Sequence, residues 1–404
     1  MRSRFLRTTI GLVSLVFAAT AAAEDWSTRS NLNLRPGVTE ISQDIYDLHT
    51  FVLWIVTVIG LLVLGLMLYS MIRHRRSRHP EPAKFHEHMA LEVFWTVVPF
   101  LILIAMAIPA TAVMIKMDNT ADSALTVRVT GHRWKWEYEY LTYGQQGNLG
   151  VDIMSSIATP LDERETPVFA SGLFPYGTAK DRAGQPAPPK DHNYNLTVDH
   201  PLVLPSGQKI RFLITSADVI HSFWVPDFGG KQDAIPGYVH AKWTKIPPGK
   251  EGTYYGQCTE LCGKGHAFMP IEVKVVSQQE FKTWLDDKVK EAKAAPDLTP
   301  FASLDEAMKA GEKVFTANCA VCHGAQGQGG IGVPMAGAEF FTDSSHKADH
   351  IKIVIHGLNA MPSFKSQLSP KEIAAVITYE RNAWGNNSGD LIQPADVNKD
   401  EGGE

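Results

Sequence analysis

A chain of 404 residues is too long for one ordinary core and points to two or three domains. Its formal net charge of -5 is mild and gives no footprint for nucleic acid. Apolar residues are unevenly placed: three apolar stretches fall in the first third, and the remainder reads as water-exposed protein. No Gly-rich phosphate loop or zinc-finger spacing occurs.

Met1 to Ala23 has the pattern of a secretory signal. Arg2, Arg4 and Arg7 precede the short apolar run Ile10–Ala18, and Ala21–Ala23 supply small residues for cleavage. Within residues 24–120, two charge-free runs predict membrane-spanning helices at about 51–72 and 93–115. Each is long enough for the roughly 30 Å hydrocarbon layer. The loop between them carries Arg73, Arg75, Arg76, Arg78 and Lys84. The positive-inside rule puts this loop, with His86 and His88, in the cytoplasm and both long ends outside.

From Leu125 the period changes to two, and Trp134, Trp136, Tyr138 and Tyr140 fall on alternate positions, predicting a strand with an aromatic face. Further strands are expected at 195–198, 209–215, 238–246 and 271–276. Turns separate them and no long amphipathic helix intervenes, so residues 121–290 predict an all-β Greek-key sandwich or barrel. Residues 142–191 read as an extended insertion.

This domain contains Cys258, Cys262, His266 and Met269 in the spacing Cys-x3-Cys-x3-His-x2-Met, with His221 upstream after an apolar strand. Two thiolates, two imidazoles and a thioether form a soft donor set that suits copper. Zinc would leave Met269 idle. A disulfide is the alternative use of the cysteines in an exported chain. His192, His200 and His240 read as ordinary core or surface residues.

After a linker at 291–302, a helix is expected from Leu304 to about Ala317. It leads into Cys319-Ala-Val-Cys322-His323, the covalent haem c attachment pattern, with His323 as an iron ligand. The βαβ context of a thioredoxin-like CxxC is missing. Ser369-Pro370-Lys371-Glu372 is a capping box opening a final helix, and Gly311 would let that helix approach the first one closely. The haem domain is expected over 303–388, with a disordered acidic tail at 389–404.

The hairpin, the aromatic strand and the copper loop together resemble cytochrome c oxidase subunit II over about residues 40–285. The resemblance implies a cupredoxin-like domain holding a binuclear CuA centre. Cys258 and Cys262 would bridge two coppers, His221 and His266 would bind one each, and Met269 and the Glu260 carbonyl would be axial. The Glu260 side chain would reach a magnesium facing the catalytic subunit. Trp134 would be where electrons reach copper, and Glu92 the cytoplasmic mouth of a proton path. The C-terminal region looks like a small all-α class I cytochrome c domain, with Met361 as sixth ligand and Met335 as the other candidate.

The implied function is electron transfer from haem c to CuA and on to a partner that reduces oxygen and translocates protons. The resemblance implies oxidase subunits I and III as partners, with a cytochrome c or bc1-type complex as donor. The location would be a bacterial-type plasma membrane, with both redox domains on the outer face. Two readings stay open: the equivalent subunit of a haem–copper nitric oxide reductase, and a copper-binding assembly factor with a redox haem.

Overall fold

The structure is a computed structural model that describes residues 33–81, 86–159, 194–359, 361–365 and 367–401. The expected signal segment, His192 and most of the expected insertion lie outside the described residues. The chain divides into two units, one of them containing residues 46–107 and the other residues 37–45 with 108–404.

Helices α1 (Glu40–Arg73) and α2 (Met89–Asp118) contain the two apolar runs and extend beyond them at both ends. Thr39 caps α1, its Oγ1 accepting the Ser42 amide at 3.1 Å. At the start of α2, His88 Nδ1 accepts the Leu91 amide at 3.2 Å and Glu92 accepts the His88 amide at 3.3 Å. Leu61, Leu62, Leu64 and Leu66 of α1 are exposed, and no side chain of α2 is buried. Two helices this long and apolar, with no covered face, suit a hydrocarbon surround.

The expected β domain is a sandwich of two five-stranded sheets. One has the order β3 (Gln146–Ser155), β2 (Lys135–Tyr143), β1 (Leu125–His132), β5 (Ile210–Ser216), β8 (His240–Thr244). The other has the order β4 (Leu202–Pro205), β10 (Pro270–Val276), β9 (Gly252–Cys258), β6 (His221–Trp224), β7 (Gln232–Ala234). The β1–β5 and β4–β10 pairs are parallel and the others antiparallel. Alternate residues Val127, Val129, Trp136, Tyr138, Ile210 and Ile214 meet Leu204, Phe223, Ile271 and Val273 in one apolar core.

Several expectations need correction. The insertion expected at 142–191 begins with β3, which pairs along β2, so its first part is sheet. No strand forms at 195–198, where a turn ends in a single bridge between Val198 and Ile157. His221 follows the apolar strand β5 after a short turn, and it is itself the first residue of β6. An amphipathic helix, α3 (Gln278–Lys293), closes the domain and packs Phe281 and Leu285 on Tyr140 and its neighbours. It also occupies the first residues of the expected linker.

The last domain is helical: α4 (Leu304–Asn318), α5 (Ala320–His323), α6 (Glu339–Thr342), α7 (Lys347–His356), α8 (Pro370–Asn382) and α9 (Pro394–Glu401). The capping box at Ser369 and Glu372 forms as the sequence predicts. A Cβ on Gly311 would lie 2.1 Å from the Ala375 carbonyl oxygen, so α4 and α8 cross at backbone contact there. The acidic tail is not disordered over its described length. It forms α9, and Ile392 and Val397 are fully buried in the haem-domain core.

Candidate metal centres

The first centre lies where β6, β9 and the following loop converge. Cys258 ends β9, and its Sγ lies 3.8 Å from Cys262 Sγ, 4.0 Å from His221 Nδ1 and 3.3 Å from the Glu260 carbonyl oxygen. Cys262 Sγ lies 3.5 Å from His266 Nδ1 and 3.5 Å from Met269 Sδ. All six expected donors therefore meet in one cluster. A sulfur separation of 3.8 Å is far beyond a disulfide bond of about 2.05 Å. His221, Cys258, Cys262 and Met269 are buried, so metal held there would be shielded from water.

The donor set fits copper in its surroundings as well. His221 Nε2 is 2.9 Å from Asp218 Oδ1, which orients the ring with Nδ1 toward the Cys258 sulfur. Burial alone would raise the Asp218 pKa, but bonds from His221 and from the Val219 and Arg133 amides hold it down at about 2. Cys258 is held low, at about 3, chiefly by the Cys262 thiol and secondarily by His221, while Cys262 is pushed up.

The second centre is a cavity of about 1130 Å³ lined by Cys319, Cys322, His323, Met335 and Met361. His323 Nδ1 lies 2.9 Å from the Val333 carbonyl oxygen and donates to it, leaving Nε2 as the free ligand atom. Adjacent thiols, an oriented imidazole and two thioether candidates on one cavity wall fit a covalently held haem. Met361 is pinned by paired backbone bonds with Leu358 of 2.9 and 3.1 Å.

The copper domain completes this cavity through Arg133, Trp134, Lys135, Asp218, Lys264 and Gly265. Trp134 sits in the turn between β1 and β2, and its Nε1 donates to the Cys262 carbonyl at 3.0 Å. A Cβ on Gly265 would fall 2.3 Å from the indole, so only glycine admits this packing. The Asp218 carboxylate joins the two centres: it holds His221 through Oδ1 and accepts the Arg133 amide on Oδ2 at 2.8 Å.

Three features escaped the sequence reading. Asp218 had a signal, being one turn-length before His221. Lys135 and the buried pair His350–Glu380, 2.9 Å apart beside the haem cavity, had none because their partners are remote in sequence. Glu92 is half-buried in the first turn of α2.

The family model for the transmembrane domain of cytochrome c oxidase subunit II matches residues 27–113, and that for its periplasmic domain residues 187–276. "Probable cytochrome c oxidase subunit 2" of Rickettsia bellii is 34% identical over 288 residues, 71% of this chain and 95% of the relative. The chain belongs to the cytochrome c oxidase subunit II family. Cytochrome c oxidase subunit 2 of Cereibacter sphaeroides is 34% identical over 283 residues, 68% of this chain and 88% of the relative. The crystal structure of the periplasmic domain of subunit II (CoxB) of Bradyrhizobium japonicum aligns at 34% identity. It covers 43% of this chain and 98% of its own, with a TM-score of 0.32.

This subunit II carries more than those relatives align with. Residues 306–379 match the family model for cytochrome c oxidase, cbb3-type, subunit III, on the helices that surround Cys319, Cys322 and His323. It is a membrane-anchored electron-transfer subunit of an oxidase, with family models implying copper in the β domain and haem c in the helical one.

Proposed function

We propose that this subunit passes electrons from a haem c on Cys319 and Cys322 to a CuA centre, and from there to a catalytic subunit that reduces oxygen to water and translocates protons. His323 and Met361 would hold the haem iron. His221, Cys258, Cys262, His266, Met269 and the Glu260 carbonyl would hold two coppers. A shared electron on two coppers in a dry, rigid thiolate site suits transfer rather than catalysis, and His/Met ligation of haem c gives a relatively high potential.

The observation that carries the reading is the position of Trp134, on the wall of the haem cavity and hydrogen-bonded to the Cys262 carbonyl. One side chain thereby links both centres within a single chain. Leu261, between the two cysteines, is 78% exposed, and Ile220 beside His221 is exposed as well. Apolar groups so placed suit a covering partner such as oxidase subunit I, with subunit III further off. The exposed Glu260 carboxylate would meet a magnesium at that face, and Glu92 would open a proton path at the cytoplasmic end of α2. The basic loop faces the cytoplasm, and both redox domains lie on the outer face of a bacterial-type plasma membrane. A cytochrome c or a bc1-type complex is the donor. We retain the division into a signal at 1–23, a hairpin within 24–120, a copper domain at 121–290 and a haem domain from 303, now extended through α9.

Rapid injection of an electron into haem c of the purified chain tests the reading. The haem should reoxidise as copper is reduced within milliseconds. A haem that stays reduced beside oxidised copper overturns the relay. In the co-purified complex, nitric oxide consumption without oxygen uptake would overturn the oxidase assignment.

A further inference from the structure

The copper domain does more than close one side of the haem cavity: it inserts a cation. Lys135, the first residue of β2, is 8% exposed, as little as many core residues. Its Nζ lies 3.4 Å from Asn318 Oδ1 and 5.1 Å from the centroid of the Phe364 ring, both in the haem domain. Asn318 immediately precedes Cys319, so the ammonium sits beside the haem attachment residues.

Among the described residues, no carboxylate forms an ion pair with this ammonium. Arg133 differs, because Asp218 holds its guanidinium at 3.4 Å. A buried, unpaired charge is costly and is retained where it has a use. Burial lowers the Lys135 pKa to about 8, opposed first by Cys319 and then by Asp199 and Glu137.

We propose that Lys135 is a positioning residue by which the copper domain sets the reduction potential of the haem: its buried ammonium beside Cys319 favours the ferrous state. Reduction adds one electron and lowers the net charge of the haem by one. A fixed positive charge in a low-dielectric wall therefore stabilises the reduced form more than the oxidised form. The cation is supplied by the other domain, so the haem reaches its working potential only when docked on the copper domain. Lys135 directly follows Trp134, which puts the residue that tunes the haem next to the one that leads from it.

The inference rests on the haem c reading, and the experiment separates the two. Wild-type protein without covalent haem would end that reading, whereas the Lys135 inference is judged on protein whose haem is attached. A spectroelectrochemical titration of the purified full chain at pH 7 follows the ferrous haem band. At the poise where wild-type haem is half reduced, Lys135→Met should lower the ferrous-to-ferric ratio roughly tenfold, which is 59 mV for a one-electron couple. Lys135→Arg keeps the charge and should stay within about twofold of wild type. Where Lys135→Met blocks haem attachment, Lys135→Gln is read by the same criterion. A neutral variant that titrates with wild type overturns the inference. So does an arginine variant that shifts as far as the neutral one, since packing rather than charge would then set the potential.

Discussion

The indole Nε1 of Trp134 donates a 3.0 Å hydrogen bond to the backbone carbonyl of Cys262, while the same ring forms part of the haem cavity wall. The bond crosses from the turn after β1 to the copper loop. It satisfies a carbonyl that would otherwise be half-buried without a donor, and it fixes the indole between the two centres. Trp134→Phe keeps an aromatic ring on Gly265 but removes the donor. Haem-to-copper transfer should slow by roughly an order of magnitude, and unfolding should cost about 1 kcal/mol less. Flash-induced kinetics with unchanged haem and copper content checks this. Wild-type rates in the variant would remove Trp134 from the route.

Legibility in the sequence followed distance along the chain. Cys258 to Met269 is one loop, so its spacing exposes four side-chain ligands at once, and Cys319 to His323 is shorter still. The period-two aromatic run revealed β2 because one face of that strand is polar. By contrast, all four residues of β4 are buried, which erases alternation, and β6 and β7 are only a few residues long. The acidic composition after Trp384 hid Ile392 and Val397, which anchor α9. The meeting of Lys135 with Asn318 pairs residues 183 positions apart, and no local pattern encodes it.

The copper ligand assignment predicts a clean separation of the two centres. Cys258→Ser removes a donor that faces Cys262, His221 and the Glu260 carbonyl together. Copper-loaded protein should lose its mixed-valence electron paramagnetic signal, while covalent haem persists because Cys319 belongs to a separate core cluster and Cys322 lines the haem cavity with it. An unchanged copper spectrum would sink the assignment.

Met361 and Met335 both face the haem cavity, but they differ in setting. Met335 is 3% exposed and belongs to the packed core, whereas Met361 is half-buried in a tight loop closed on Leu358. Met361→Ala should lower the haem potential and let an added ligand such as imidazole bind ferric iron, seen as a spectral shift. If the spectrum and potential stay put, Met335 takes the role.

Gly311 predicts a clash whose sign is not obvious from propensity. Alanine in a helix interior is favoured over glycine by about 0.5–1 kcal/mol. Here, however, the added Cβ would lie 2.1 Å from the Ala375 carbonyl and 2.6 Å from Tyr379 Cβ, and backbone cannot yield as a flexible side chain can. Overpacking of this kind costs about 1–3 kcal/mol. Gly311→Ala should therefore reduce the yield of covalent haem and lower the melting temperature. A variant as stable as wild type would show that α4 and α8 can separate without loss.

Lys242 gives the pH prediction. It lies half-buried in β8, with the position of a Cβ on Gly230 only 3.0 Å from its Nζ, and desolvation lowers its pKa to about 8. In the unfolded chain a lysine keeps its proton to about pH 10.4. Below pH 8 both states are protonated and the folded state bears the full cost of the buried charge. Between pH 8 and 10.5 the unfolded state binds the extra proton, so this residue's contribution makes stability rise with pH. Above that window both forms are neutral and the cost vanishes. Discounted for partial exposure, the cost at neutral pH is of order 1–2 kcal/mol. Lys242→Met keeps the apolar stem and removes the charge. Thermal unfolding of the detergent-solubilised chain should show the variant more stable at pH 7, with the gap narrowing toward pH 10. A variant less stable at pH 7, or a gap that ignores pH, would mean that the ammonium finds compensation in the folded state.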